Sequence, residues 1–552
     1  MATDPSYIKT RDVEEWKASR RDSLEDIEEA KKILLMIKDG ADVFQTIRKN
    51  PLPGRGNVSK YTLVLAYHQM VENGEIAEDP ELLAKIRMKP GRTLSGVTTV
   101  TVLTKPWPCP GDCIFCPSDE RMPKSYIPDE PGAARAFQNH FDPYLQVSSR
   151  IQSYEAVGHP TDKIELLILG GSWTSYPWEY QQYFIQRCFD AMNERDSENL
   201  AEAQRINEDA SHRNVGLVVE TRPDLLTPEI LRQLRVLGVT KLQLGIQSLD
   251  DRILTLNRRN LSVREARDRV ALARAAGFKI VLHWMPNLLG ATPESDAEDF
   301  LHLWQPPEDG YGFCPDELKI YPTQLLQGTD LYAEWEKGNY QPYDMDTLVH
   351  LLAEIKPTIE PYCRVNRVIR DIPSHHVVAG NTRSSLRMDI QDLMKQQGTR
   401  CRCIRCREIR GQKVNLEDLR LDDYRYSAAF ADEHFLQYVT EGDRLAGYLR
   451  LSLPDARDEA PIAELTGCAI IREVHIYGQS IPVGAEQSGA AQHIGLGSRL
   501  IEEACRIASE NGFQKIAVIA AIGTRHYYES RGFYRGDYYL LRDISQEQSG
   551  RV

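Results

Sequence analysis

Long apolar runs are missing from this chain of 552 residues: the longest, at 166–169 and 516–522, fall far short of the roughly 18 to 20 residues that a membrane span needs. Residues 1–9 contain no apolar segment of signal-peptide type either, so a cytoplasmic, reducing setting with no membrane partner is expected. Net positive charge is missing too. With 67 Lys and Arg against 80 Asp and Glu, the formal charge is −13, which excludes coating nucleic acid by bulk charge and leaves only a local basic patch for that role. No internal repeat or low-complexity tract is found, which excludes solenoids and compositionally biased tails. What remains is a globular composition, 41% hydrophobic and 27% charged, in a chain long enough for two or three domains. Eleven cysteines, an odd number in a reducing setting, point to metal or catalysis rather than to disulfides.

Residues 1–92 read as a small helical region, with apolar residues at helical spacing in 22–38 and 59–72 on either side of the turn Pro51-Leu-Pro-Gly-Arg-Gly56. From 93 to 362, short β-rich runs (98–103, 164–169, 215–219, 241–244, 279–283, 317–321) alternate with amphipathic stretches such as 228–237 and 263–276. That alternation is the pattern of βα units around a parallel sheet, a partial or full (βα) barrel. Residues 363–413 read as a basic, cysteine-containing linker, with 12 Lys and Arg against 4 Asp and Glu between Arg364 and Lys413. Residues 414–552 mix strands at 448–453, 469–475 and 515–519 with one strong helix at 496–511, which suits a small α/β domain. The expected fold class is α/β.

Cys109-Pro-Gly-Asp-Cys113-Ile-Phe-Cys116 follows the first strand of the βα region. Three thiolates on one short loop can each hold one iron of a 4Fe–4S cluster and leave the fourth iron open, whereas an electron-transfer cluster wants a fourth cysteine; the bland alternative is a zinc knuckle. The loop resembles that of the radical S-adenosylmethionine (radical SAM) superfamily. The resemblance implies that the open iron binds the methionine moiety, and that an electron from an external donor yields a 5′-deoxyadenosyl radical. Gly170-Gly171, at the end of the run 164–169, fits the superfamily's Gly-Gly element, where bare backbone can approach the methionine amino group. Glu220 and Arg222, ending the run 215–219, and Gln247 and Ser248, following 241–244, are candidates for ribose and methionine contacts at the barrel mouth.

Gln492-His-Ile-Gly495-Leu496-Gly497-Ser498 opens the helix at 496–511, and glycines at a helix N-terminus expose N–H groups that suit a pyrophosphate. With the strand at 515–519 and Arg525-His-Tyr527-Tyr528-Glu-Ser-Arg-Gly532-Phe533 behind it, this set resembles the GNAT acetyltransferase fold. The resemblance implies a late tyrosine, Tyr527 or Tyr528, near the thioester sulfur, and pantetheine held by the strand around Glu473, Val474, His475 and Ile476.

A radical SAM barrel followed by a GNAT domain resembles the family of the Elongator catalytic subunit in its stand-alone prokaryotic form, over about 93–542 and including Leu318-Lys-Ile-Tyr-Pro322. The family implies tRNA as partner and acetyl-CoA as substrate: the wobble uridine gains a carboxymethyl group, the radical acting on the acetyl methyl, with thioester hydrolysis afterwards. Lys163 matches a position that contacts acetyl-CoA in that family. Cys401, Cys403 and Cys406 offer three ligands to a zinc ion, with Cys314 as the chosen fourth and His375 or His376 as fallback. Lys85, Arg87, Lys89, Arg92 and Lys105 form one basic cluster; Arg364, Arg367, Arg370, Arg383, Arg387, Arg400, Arg402, Arg405 and Arg407 form another, suited to an RNA backbone whose target base is extruded. Two rival readings are a protein lysine acetyltransferase with a structural iron–sulfur region, and a non-catalytic tRNA-binding scaffold. The oligomeric state is left open.

Overall fold

The computed structural model describes residues 24–52, 56–93, 95–306, 310–410, 414–457, 459–477 and 495–544. Its first layer is helical: α1 (Leu24–Lys38), α2 (Lys60–Glu72) and α3 (Pro80–Ile86) bury Ile33, Leu34, Leu63 and Tyr67 in a core of their own. Side-chain caps start two of them, Ser59 accepting from the Thr62 N–H and Asp79 from the Leu82 N–H. Arg87 fastens this layer to the next by donating to the Gly158 carbonyl at 2.7 Å.

Seven β-rich segments then form one sheet: β1 (Thr98–Leu103), β2 (Lys163–Leu169), β3 (Arg213–Thr221), β4 (Lys241–Gln247), β5 (Lys279–Trp284), β6 (Glu317–Ile320) and β7 (Arg364–Arg367). They pair in sequence order, all parallel, and β1 and β7 remain as two edges. The barrel is therefore partial. Helices α4 (Pro143–Glu155), α5 (Trp178–Asn193), α6 (Pro228–Val236), α7 (Val263–Ala275), α8 (Pro293–Leu301) and α9 (Met345–Ile355) make the crossovers. Thr227, Ser262, Thr292 and Asp344 cap four of them, and Pro228 and Pro293 sit in the first turn, where a missing N–H costs nothing.

Period-two alternation decides what faces inward. Along β1 and β2, Val100, Val102, Ile164, Leu166 and Ile168 are buried in the core shared with the helices, while Thr101, Glu165 and Leu167 line an interior cavity. Gln243, His283, Glu317 and Lys319 continue that polar lining on β4, β5 and β6. The interior is a chamber, unlike the packed interior of a closed eight-stranded barrel.

The basic segment expected as a linker is folded into the barrel. Its first residues are β7, and α10 (Leu386–Gln396) packs on α9. Strand β7 carries charge because Arg364, Asn366 and Arg367 line the interior cavity, while Val365 between them is buried in the core.

The last unit is a seven-stranded sheet in the order β8 (Arg420–Ser427), β9 (Ala431–Val439), β10 (Leu445–Pro454), β11 (Cys468–Ile476), β12 (Lys515–Val518), β14 (Leu540–Asp543), β13 (Tyr534–Arg535), with α11 (Leu496–Glu510) against β10 and β11. It docks on the N-terminal ends of the barrel strands through buried charges. Asp316 receives Arg472 at 2.7 Å, with Arg450 at 3.4 Å and Arg274 at 3.5 Å. Lys279, at the start of β5, reaches Glu317 at 2.5 Å and also pairs with Glu473. Burial pushes the Asp316 carboxyl up, but the three guanidiniums outweigh it and hold it far below the usual range. Among the described residues no helix is long and apolar enough to cross a membrane.

Candidate active site

The cysteine loop lies at the C-terminal ends of β2, β3 and β4. Cys109 Sγ is 3.7 Å from the Ser172 hydroxyl, Arg259 donates to Cys113 Sγ at 3.9 Å, and the Arg222 guanidinium lies where a Cβ on Gly111 would stand. Two guanidiniums beside a loop of thiols offset the negative charge that thiolate ligands bring. Burial, with Cys113 beside it, pushes the Cys116 thiol up to about 11, so an iron must displace its proton on binding. The three sulfurs do not converge on one point, and cluster ligands need not, since each binds a different iron. This donor set fits a 4Fe–4S cluster.

Beside it, Gly170 has φ of 136°, and a Cβ there would lie 1.9 Å from the Thr104 hydroxyl, so only glycine fits. Gly171, at φ of 86°, also lies in the left-handed region that favours glycine, and a Cβ there would meet the Lys124 carbonyl at 3.5 Å. Glu220 accepts from the Tyr126 hydroxyl at 3.0 Å. Gln247, strained at φ of 74°, is part of the chamber wall, and its buried Oε1 has no hydrogen-bond partner. His283 is similar: its Nε2 is buried without a partner, and burial together with Lys319 keeps its imidazole neutral.

At the other end of the chamber, pairing of β11 with β12 stops at Ile471 and Val518, and residues 472–476 run on beside β10 only. The two strands part there. The gap is lined by Glu473, Val474 and His475 on one side and by Ile519, Thr524 and Tyr528 on the other, so one edge of β11 faces open space. Gly495, at φ of 70°, caps α11; Gly497, in its first turn, lies under Tyr527, whose hydroxyl would be 2.3 Å from an added Cβ. Arg531 stacks on the Tyr527 ring at 3.6 Å and donates to Ser498 at 2.9 Å. Gln492 lies outside the described residues. Lys163 opens β2, paired with Arg213, which Gly523 approaches from the second unit; burial lowers its ammonium.

Phe115, Glu220, Gln247 and His283 from the first end and the parted edge of β11 from the second line one cavity of about 1000 Å³, which also touches Arg92, Arg135, Arg150, Arg367, Arg405 and Arg410; the three cysteines themselves lie behind Phe115, outside the lining.

Residues 109–303 match the radical SAM superfamily, 315–396 the radical SAM C-terminal domain, and 405–533 the acetyltransferase (GNAT) family. A tRNA uridine(34) acetyltransferase of Dehalococcoides mccartyi is 40% identical, over 81% of this chain and 97% of that protein. Elongator complex protein 3 of Homo sapiens is 37% identical, over 84% of this chain and 86% of its own. The chain belongs to the Elongator complex protein 3 family. The solved structure of archaeal Methanocaldococcus infernus Elp3, lacking its residues 1–46, matches with a TM-score of 0.70 at 34% identity, covering 81% of this chain and 99% of that one.

This member of the Elongator family departs from the sequence expectations at several residues. Ser248 turns away from the chamber, donating to Asp299 at 3.3 Å and accepting from the Asp250 N–H at 3.1 Å, because it helps to start the helix Asp251–Leu256. Arg222 pairs with Asp224 at 2.9 Å and flanks the cysteine loop. Cys401, Cys403 and Cys406 bring their sulfurs within 4.8 Å of one another, the convergence that ligands of a single ion require. Hydrogen bonds from Cys401 and Cys406 hold the Cys403 thiol well below its usual value, and the fully buried Lys356 ammonium adds to this. Cys314 does not join them. Its thiol faces the carbonyls of Trp304 at 4.0 Å and Ser427 at 3.9 Å, because the triplet folds back beside Cys363, whose carbonyl accepts from the Ile404 N–H. His375 and His376 meet Asp129 instead.

Of the basic residues, Arg92, Arg364, Arg367, Arg370 and Arg405 line the cavity, while Lys85, Lys89, Arg400 and Arg402 are exposed outside it. Lys105 lies over the Tyr180 ring, and Arg383 is paired with Asp389 at 3.7 Å. Arg87, Arg364, Arg387 and Arg407 are spent on internal hydrogen bonds, to Gly158, Tyr477, Val365 and Pro361 among others. Sequence reasoning missed Arg135, Arg150 and His283. For His283 a signal existed, a lone histidine among Ile280, Val281, Leu282 and Trp284; Arg135 and Arg150 sit on ordinary helices with no motif around them.

Proposed function

We propose that this chain modifies the wobble uridine of tRNA, joining an acetyl-derived carbon to the base as a carboxymethyl group. The observation that carries the reading is the single chamber, walled at one end by Phe115 of the cysteine loop with Glu220 and Gln247, and at the other by the parted β11–β12 edge. A methyl group activated at one end and an acyl carrier held at the other must share one space, and this chamber would give them one.

A 4Fe–4S cluster with S-adenosylmethionine, when bound, supplies one-electron chemistry able to take a hydrogen atom from the acetyl methyl group. Cys109, Cys113 and Cys116 would hold the irons, and the side-chain-free backbone of Gly170-Gly171 would meet the methionine moiety. The unpartnered Gln247 Oε1 would accept from a ribose or amine donor. On the other side, the edge of β11 would hold pantetheine, and the first turn of α11 the pyrophosphate. Tyr528 is kept protonated by burial, so it can give a proton to the departing thiolate. His475 is kept neutral, with a pKa lowered to about 4 by burial, so its unpartnered Nε2 would offer the acyl carrier a hydrogen-bonding atom without a charge. Arg92, Arg135, Arg150 and Arg405 would track RNA phosphates around the extruded base. The three converged cysteines would hold zinc, with Lys356 balancing thiolate charge. The electron comes from an external donor.

The test is an anaerobic incubation of reconstituted protein with labelled acetyl-CoA, S-adenosylmethionine and bulk tRNA, followed by nucleoside analysis. Labelled carboxymethyluridine is expected from the wild type and none from the Cys109, Cys113 and Cys116 to Ser variant. Label in protein lysine, independent of S-adenosylmethionine, would instead support a lysine acetyltransferase.

A further inference from the structure

Outside the chamber, two histidines and a carboxylate meet in a cluster that the function above does not use. Asp129 ends the loop that follows Cys116, and facing it is the single turn Ser374–His376 that follows β7. In an extended strand, consecutive side chains point to opposite faces. The tight turn brings both imidazoles to one side, with ring centres 4.2 Å apart. His375 Nε2 lies 2.8 Å from one oxygen of Asp129, and His376 Nε2 lies 2.7 Å from the other. All three ligand atoms fall within 4.8 Å of one another.

Fastening the loop does not require this arrangement, since Arg370 already donates to the Ser125 hydroxyl at 3.1 Å and pairs with Glu130 at 3.2 Å. Two imidazoles and one carboxylate are a nitrogen-rich donor set. They suit divalent first-row transition metals, and suit poorly both the all-oxygen shells of Mg²⁺ and Ca²⁺ and the thiolate sites.

We infer that Asp129, His375 and His376 bind a divalent transition-metal ion of the zinc class, at a site separate from both cysteine sets. Water completes its shell, since His375 is 68% exposed at the side chain. The ion ties the loop after the cluster cysteines to the segment after β7, and Ser125, Tyr126 and Glu130 of that loop form part of the chamber wall. The inference does not depend on which reaction the chamber runs.

The test uses full-length protein with the iron–sulfur cluster and the Cys401 group loaded. Zn²⁺ binding is measured by equilibrium dialysis against a competing chelator, for the wild type and for Asp129→Asn and His375→Gln/His376→Gln. The wild type is expected to hold one Zn²⁺ more than either variant, or to bind it at least about 100-fold tighter, since loss even of an outer-shell partner costs 10- to 100-fold. An anomalous-scattering peak between the two Nε2 atoms in zinc-soaked crystals is expected alongside. Equal stoichiometry and affinity in all three proteins, or no peak there, would reduce the cluster to hydrogen bonds and overturn the site. Iron content unchanged in the variants separates this outcome from damage to the cluster.

Discussion

Tyr527 and Tyr528 are neighbours in sequence with separate surroundings. They belong to the short helix Arg525–Glu529, which turns one ring toward Gly497 and Arg531 and buries the other against Phe533, with its edge on the chamber. Burial first, then the neighbouring Tyr527, raises the Tyr528 hydroxyl well above its usual value, so it is a proton donor at every working pH. Tyr528→Phe is expected to lower carboxymethyluridine formation by about 100-fold, the low end for loss of a general acid, with acetyl-CoA affinity within a few-fold. Tyr527→Phe keeps the stacked ring and should leave product yield nearly unchanged. Single-turnover nucleoside analysis with calorimetric acetyl-CoA binding separates the two; equal losses would remove the distinction.

At the scale of elements, the start of α11 is built around a missing side chain. A Cβ on Gly497 would stand 2.3 Å from the Tyr527 hydroxyl but 3.5 Å from its ring carbon, so the oxygen alone makes the clash. Gly497→Ala should therefore displace Tyr527 and the Arg531–Ser498 contact and weaken acetyl-CoA binding by about tenfold or more, roughly 1.4 kcal/mol. Gly497→Ala combined with Tyr527→Phe should regain most of that affinity, because the oxygen is gone. Both proteins keep their iron and their tRNA affinity. A double variant no better than the single one would mean that the alanine blocks the ligand itself.

The molecule works as a unit because charged groups are buried where its two sheets meet. Asp316 is wholly buried among Arg274, Arg450 and Arg472, so Asp316→Asn leaves three cations short of an anion and is expected to cost about 3–5 kcal/mol in urea unfolding. Glu473 adds a pH dependence. Burial pushes its carboxyl up, but Lys279 and Arg450 prevail and hold it at about 2 rather than 4.5. A depressed carboxyl stabilises the fold above its unfolded value and loses that contribution as pH falls through the folded one, so about 3 kcal/mol should disappear between pH 4.5 and 2. In Glu473→Gln this part of the acid limb should flatten; an unchanged limb would show that other carboxyls set it.

Much of the design is local and therefore legible in the chain itself. Spacing of Cys109, Cys113 and Cys116, the Gly170-Gly171 pair, the glycines opening α11 and the alternation of strand and helix each arise from neighbours in sequence, and they led to the parallel sheet, the cysteine loop and the second α/β unit. Contacts across long separations were not legible. A cysteine's partner depends on where the chain returns, so Cys314 went to Trp304 and Ser427 while the triplet settled near Lys356. Likewise a basic stretch reads as a linker until β6 offers it an edge to pair with, and two histidines acquire a role only when a loop 247 residues before His376 presents Asp129. Sequence pattern determines which face of an element is apolar; tertiary packing alone decides which two faces meet, and the shared chamber exists only in that meeting.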